Sequence, residues 1–217
     1  YFLLPSKDLK FQKETLSFLN LKGKKLLSSK DYRHISSKNL FLTDHPYVKK
    51  NNPTKSIHNI PLWISKWLKK KYLKRKFNNK LYPKKIYIQR DHNKKISNRE
   101  LVNEKFIRKY LLSKGFKIIK PHRISFNNQI KFFHNAKFII GHHGAGFANI
   151  IFCKPKTNII EMKSKHTGYL YQNLSKTNNL KYTPIIGKVV GKSGRNQEDK
   201  ISIPIQKLKK IFNSCLS

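Results

Sequence analysis

Between residues 85 and 186 the chain alternates short apolar runs with longer segments of helical periodicity, and this rhythm restricts the fold more than any other feature. Lys85-Ile86-Tyr87-Ile88, Phe116-Lys117-Ile118-Ile119, Phe138-Ile139-Ile140, residues 157–162 and residues 181–186 have the length and apolar content of short strands. Between the first two, Leu101, Val102, Phe106, Ile107, Tyr110 and Leu111 are spaced for one face of a helix that Asn98 can cap and Gly115 can end. Ser125 caps a second helix carrying Ile130 and Phe133, and residues 146–152 and 169–176 read as two more. Residues 187–200 form a polar loop, and residues 204–212 a last helix with Ile205, Leu208 and Ile211 on one face. Such alternation implies a parallel sheet with right-handed crossovers, that is, a Rossmann-type α/β domain.

Residues 1–80 read differently. Leu16-Ser17-Phe18-Leu19, Lys24-Lys25-Leu26-Leu27 and Asn39-Leu40-Phe41-Leu42 are short apolar runs among turn residues, as expected for strands and short helices of an incomplete N-terminal α/β domain. Residues 51–54 read as a loop. Residues 60–77 place Ile60, Trp63, Ile64, Trp67, Leu68 and Tyr72 on one helical face, next to the basic runs 69–71 and 74–76. Residues 78–80 then read as a linker. The expected division is therefore a partial α/β region with a linker helix over 1–80 and the Rossmann-like domain over 81–217. Tyr1 opens in the middle of a pattern, as a fragment or a processed chain would.

Charge narrows the partners less than its size implies. Forty-eight Lys and Arg stand against ten Asp and Glu, a formal charge of +38. A cationic surface gains affinity for phosphate polymers by counterion release. Only seven of these cations are Arg, however, and the Lys are spread along the whole chain with many Asn and Ile. That pattern fits AT-rich coding better than a selected stripe. Attraction to an anionic membrane or another polyanion follows as a by-product. Two cysteines, Cys153 and Cys215, make no disulfide framework and have no metal-ligand spacing, which fits a reducing, cytoplasmic compartment with peripheral membrane contact.

In an open parallel sheet ligands bind beyond the C-terminal strand ends. The loop Gly141-His142-His143-Gly144-Ala145-Gly146 follows the third strand there. Its glycines permit close backbone approach, its helix start favours a diphosphate, and its two histidines can donate to phosphate or to a leaving oxygen. Gln89-Arg90-Asp91 ends the first strand, and Arg90 offers a fixed fork of donors at the same crevice. Arg99 and Asn103-Glu104 fall on the helix that follows. Glu161, one of ten acids, sits at the end of the fourth strand, where a carboxylate can accept from ribose hydroxyls.

In this order the residues resemble glycosyltransferase family 61, formerly a domain of unknown function. The resemblance covers residues 84–162. It runs through Ile86-Tyr87-Ile88-Gln89-Arg90, Arg99 with Asn103-Glu104, Gly115-Phe116, Ser125-Phe126, Gln129-Ile130, Phe133, Ala136 and Gly141. His143-Gly144-Ala145-Gly146, Asn149, Phe152 and Glu161 complete it. Gln89 stands where Ser is usual, His142 where Pro is common, and Phe147-Ala148 replaces Leu-Thr. The resemblance implies a GT-B architecture, with the donor bound mainly by the C-terminal domain and residues 1–80 on the acceptor side. It implies inverting transfer from a nucleotide sugar, UDP-linked by expectation, to a polysaccharide or glycoconjugate acceptor, with no cofactor and no metal; the chain has no Asp-x-Asp motif. Arg90, Arg99, Ser125, Gln129, Gly141, His142, His143, Gly144, Ala145, Gly146, Asn149 and Glu161 are then the expected donor-binding residues. Arg90 and His143 would stabilise the departing diphosphate. Asp44, with Asp31 and His45 as alternatives, is the expected general base.

Two other readings compete. A non-catalytic basic Rossmann-like protein would bind nucleic acid or polyanions, but no nucleic-acid motif is present. A dinucleotide-dependent oxidoreductase would carry G-x-G-x-x-G at its first strand; this loop has other spacing and follows the third.

Overall fold

Ile86, Ile88, Ile139 and Ile159 alternate with Tyr87, Ile140, Ile160 and Met162, and all are buried, so the sheet they form is covered on both faces. The structure is a computed structural model that describes residues 1–21, 25–42, 58–73, 81–90, 99–192, 194 and 198–216. The chain opens with β1 (Phe2–Leu4), α1 (Lys10–Phe18) and β2 (Leu26–Ser28), a parallel pair joined through a helix, followed by α2 (Leu62–Tyr72). The central unit comprises β3 (Lys85–Ile88), α3 (Glu104–Ser113), β4 (Lys117–Ile119), α4 (Phe126–Asn135) and β5 (Phe138–His142). A 3-10 helix (Ala145–Phe152), β6 (Asn158–Lys163), α5 (Leu170–Thr177) and β7 (Lys181–Ile186) complete it. The antiparallel pair β8 (Lys188–Val189) and β9 (Ile201–Ser202) leads to α6 (Ile205–Ser214).

β3 to β7 form one all-parallel sheet in the order β4-β3-β5-β6-β7, a doubly wound arrangement. Ile107 and Leu111 of α3 join Leu208 and Phe212 of α6 on one face. Ile130 and Phe133 of α4, the 3-10 helix, Tyr171 and Leu174 of α5 and Tyr72 of α2 cover the other. The predicted α/β class and parallel sheet are therefore present. α3 ends as a Schellman turn: Phe116 N–H bonds Leu111 O, Gly115 N–H bonds Leu112 O, and Gly115 has φ +76°. Ser125 caps α4 as expected, its hydroxyl accepting from Asn128 N at 3.3 Å.

Several expectations are corrected. Leu40, Phe41 and Leu42 lie in irregular, exposed chain, whereas residues 16–18 fall in helix α1, one of the short helices expected there. The helix after β3 starts at Glu104, so Arg99 and Asn103 lie in the segment leading into it. Asn103 pins that entry to the strand pair, donating to Ile203 O at 2.7 Å and accepting from Ile203 N at 3.1 Å. Helix α2 turns Tyr72, Ser65, Ile64 and Leu68 inward. Trp63 (62 % exposed) and Trp67 (41 %) point outward with Leu62, Lys66, Lys70 and Lys71. The expected 51–54 loop, the 74–76 basic run, the 78–80 linker and the Asn98 cap lie outside the described residues.

Candidate functional site

The chain crosses from β3 to β4 through α3 on one face, then returns past β3 to β5 through α4 on the other. The strand order therefore reverses between β3 and β5, the switch point beyond whose C-terminal strand ends α/β sheets usually bind ligands. Arg90 leaves β3 there, and residues 143–146 leave β5. His143 N–H bonds Met162 O of β6 at 2.9 Å, so the loops after β5 and β6 start side by side.

Two guanidiniums converge on this loop. Arg90 Nη1 donates to the carbonyl oxygen of His143 at 2.9 Å, and Arg99 Nη1 to the same oxygen at 3.3 Å. Arg99 Nη2 also pairs with Glu198 Oε1 at 3.0 Å; the Arg99 side chain is 9 % exposed and that of Glu198 40 %. Burial and, next, the charge of Arg99 lower the Arg90 pKa from its ordinary value. Among the described residues the arrangement sets two cations beside one partly exposed carboxylate.

The glycines serve packing around this pair. A Cβ on Gly144 would stand 3.3 Å from both Cδ and Nη1 of Arg90. One on Gly141 would meet Ile88 Cβ at 3.0 Å and Phe147 Cε2 at 3.1 Å, and one on Gly146 would meet Ile88 Cγ2 at 3.0 Å. Glycine at all three positions lets the loop and the 3-10 helix lie directly on β3 and on Arg90.

The two loop histidines part company. His142 closes β5 opposite Met162 and is 3 % exposed, inside the sheet layer. His143 points its Nδ1 at Glu161 Oε1, while Tyr182 Oη donates to Glu161 Oε2. Glu161 is 1 % exposed and lies within β6 opposite Gly141. Both its oxygens are thus engaged by protein, which sets it beneath His143 as a holder of the imidazole. Burial, then the Glu161 charge, raise the phenol of Tyr182; the same two causes push Tyr171, whose ring is 5.2 Å from that of His143, up to about 12. A carboxylate accepting from Nδ1–H directs His143 Nε2 away from the core.

Ser125, Gln129 and Asn149 are also drawn together, in the support of the loop. Gln129 Nε2 donates to Pro121 O at 2.8 Å and Ile124 O at 3.1 Å, and its Oε1 accepts from Asn149 Nδ2 at 2.9 Å. Ala145 opens the 3-10 helix with its methyl exposed. Glu104 receives the buried Tyr87 hydroxyl at 2.7 Å. Asp31 is exposed after β2, and Asp44, His45 and Asp91 lie outside the described residues. Among the described residues no three His, Cys, Asp or Glu side chains gather as a metal site would need.

One cluster escaped the sequence reading. Asp199, 4 % exposed, accepts from Ser164 Oγ at 2.9 Å and from His166 Nδ1 at 2.8 Å. The only available signal was that Glu198-Asp199 holds two of ten acids in a stretch read as a polar loop.

Fold and site together define a doubly wound α/β protein with a cationic, histidine-bearing cluster at its switch point, the kind of place where α/β proteins hold phosphorylated ligands. The sequence matches the family described as Glycosyltransferase 61 over residues 2–160. The chain belongs to that family and is a glycosyltransferase by membership. The match takes in most of the N-terminal region as well as β3 to β5. No curated protein matches the chain.

Proposed function

We propose that the switch-point site binds a nucleotide sugar, a UDP-sugar first among candidates, and that the chain transfers the sugar with inversion to a polysaccharide or glycoconjugate acceptor. The observation that carries this reading is the convergence of Arg90 and Arg99 on the His143 carbonyl. Two adjacent guanidiniums supply fixed forks of donors suited to a ligand bearing two negative charges close together, as a diphosphate does. His143, steadied by Glu161, then offers Nε2 to the leaving oxygen as the bond to the sugar breaks. In this reading the cations do the charge work, without a resident metal. Residues 81–217 form the donor domain of a GT-B enzyme, and residues 1–80 contribute to the acceptor side.

The outward Trp63 and Trp67 support a second element of the proposal, peripheral docking on an anionic membrane in a cytoplasmic setting. Tryptophan prefers the membrane interface, and Lys66, Lys70 and Lys71 on the same side would meet lipid phosphates. No helix among the described residues is long and apolar enough to cross a membrane.

The direct test is turnover of a panel of UDP-, GDP- and TDP-sugars with oligosaccharide acceptors, with NMR of the product's anomeric configuration. Nucleotide release with an inverted product supports the reading; a retained configuration contradicts the mechanism, and no release from any donor contradicts the activity.

A further inference from the structure

Asp199 is buried in a chain with very few acids, and among the described residues it accepts from Ser164 Oγ, His166 Nδ1 and the backbone N–H of Gly194, all at 2.8–2.9 Å. A buried carboxylate held this way is fixed in place. By accepting from Nδ1–H it sets the His166 tautomer and leaves the Nε2 lone pair outward. The His166 side chain is 25 % exposed, and Nε2 has no partner among the described residues. His166 N–H also donates to Ser164 Oγ at 3.2 Å, which fixes the backbone that carries the ring.

The position of the dyad is as informative as its chemistry. His166 is the third residue after β6, whose end pairs with β5 at His142. The two acids 198 and 199 divide between neighbouring tasks: Glu198 pairs with Arg99, which bonds the His143 carbonyl, while Asp199 holds His166. One dipeptide therefore ties the dyad to the cationic pair at the same sheet edge. Beside it, Thr167 is 5 % exposed and its hydroxyl has no partner among the described residues, an unmet polar group of the sort that accompanies a ligand site. Glu161 is committed beneath His143, and Asp31 stands exposed after β2.

We infer that His166 is the general base of the transfer and Asp199 its positioning residue, an assignment that rests on reading the switch point as the nucleotide-sugar site. In the step, the acceptor oxygen bonds the anomeric carbon while its proton passes to His166 Nε2. The bond from the anomeric carbon to the diphosphate oxygen breaks, and the electron pair leaves with the nucleoside diphosphate. Asp199 stabilises the imidazolium that forms, without taking the proton.

The test uses the full chain, water as acceptor and sodium azide as an alternative nucleophile that carries no proton. UDP released from UDP-sugars and the Kd for UDP are measured for wild type, His166→Ala and Asp199→Asn. The inference expects His166→Ala to slow water-driven release by about 10²-fold or more, the usual range for a general base, with UDP affinity unchanged. Azide should restore much of the rate as glycosyl azide. Asp199→Asn should lower kcat with donor KM unchanged. Undiminished release in His166→Ala, a parallel loss of UDP affinity, or no restoration by azide overturns the assignment while leaving the donor site intact. Wild type that binds UDP but releases none overturns it too, because a poised base serves water as it serves an alcohol. Wild type that does not bind UDP removes the underlying reading, and this inference with it.

Discussion

The position of Gly144 is fitted to Arg90: a single added carbon there would stand 3.3 Å from both Cδ and Nη1 of the guanidinium side chain. The loop and the cation therefore share one space, although 53 residues of sequence separate Arg90 from His143. Gly144 has an extended backbone that alanine also adopts, so Gly144→Ala acts on Arg90 and not on the chain's own conformation. Gly144→Ala should weaken UDP binding by roughly three- to tenfold, the loss of part of one charged hydrogen bond, with the thermal midpoint little changed. Calorimetry and a melting curve check both halves; a large drop in midpoint with unchanged affinity would place the glycine in folding alone.

Glu161→Gln keeps the shape but removes the charge that supports His143 Nδ1–H and the Tyr182 hydroxyl. We expect kcat to fall by about 10- to 100-fold, in the range lost when an outer partner of a functional histidine is changed, with UDP affinity altered less than threefold or so. An equal loss in Kd would show that Glu161 contacts the donor itself.

Much of this was legible in the sequence. The 85–88 and 181–186 runs match β3 and β7 residue for residue, because isoleucine-rich runs bounded by polar turns have few other uses. Gly115 and Ser125 were readable because turn and cap chemistry is local. What the sequence hid depends on distant partners. Glu161 looked like a ligand-facing acid, yet Tyr182 and His143 claim both its oxygens. Trp63 and Trp67 had the spacing of a core stripe, but Tyr72 and Ser65 take the inward side of the helix. The His166–Asp199 pairing joins residues 33 apart, with a helix and a strand between them, and local spacing carries no sign of it.

The tyrosines around Glu161 predict an alkaline limb in stability. Burial, then the Glu161 charge, raise Tyr182 above the ordinary value of 10.0 and push Tyr171 up to about 12. The folded state therefore holds these protons more tightly than the unfolded chain. Their contribution to stability is present in full below pH 10 and is lost as pH rises through about 12. Urea midpoints between pH 9 and 12 should fall along this limb, and Tyr182→Phe with Tyr171→Phe should flatten it. An unchanged slope in the double variant would contradict the assignment.

Helix α2 carries both tryptophans of the chain, so intrinsic fluorescence reports on that face alone. Vesicles of phosphatidylcholine with phosphatidylglycerol should shift the emission to the blue, and phosphatidylcholine alone should not. Trp63→Ser with Trp67→Ser should weaken vesicle binding by about tenfold or more, as expected when two interfacial aromatic anchors are lost. Binding that vanishes in salt without any spectral shift would assign the contact to lysine charge only.

If Arg90, Arg99 and His143 carry the leaving-group charge, EDTA should leave nucleotide release unchanged, and added magnesium or manganese should not raise it more than about twofold, far short of the several kcal/mol a Lewis-acid metal supplies. Loss of release in EDTA that returns with metal would reassign that task.

Binding of a nucleoside diphosphate at the two-arginine edge is checked by titration calorimetry of the full chain with UDP. Saturable 1:1 binding is expected that survives raised salt, is stronger than binding of NAD, and weakens by about 10- to 100-fold in Arg90→Ala, the range for a charged hydrogen bond. No binding of UDP or GDP, or equal UDP affinity in Arg90→Ala, would contradict it.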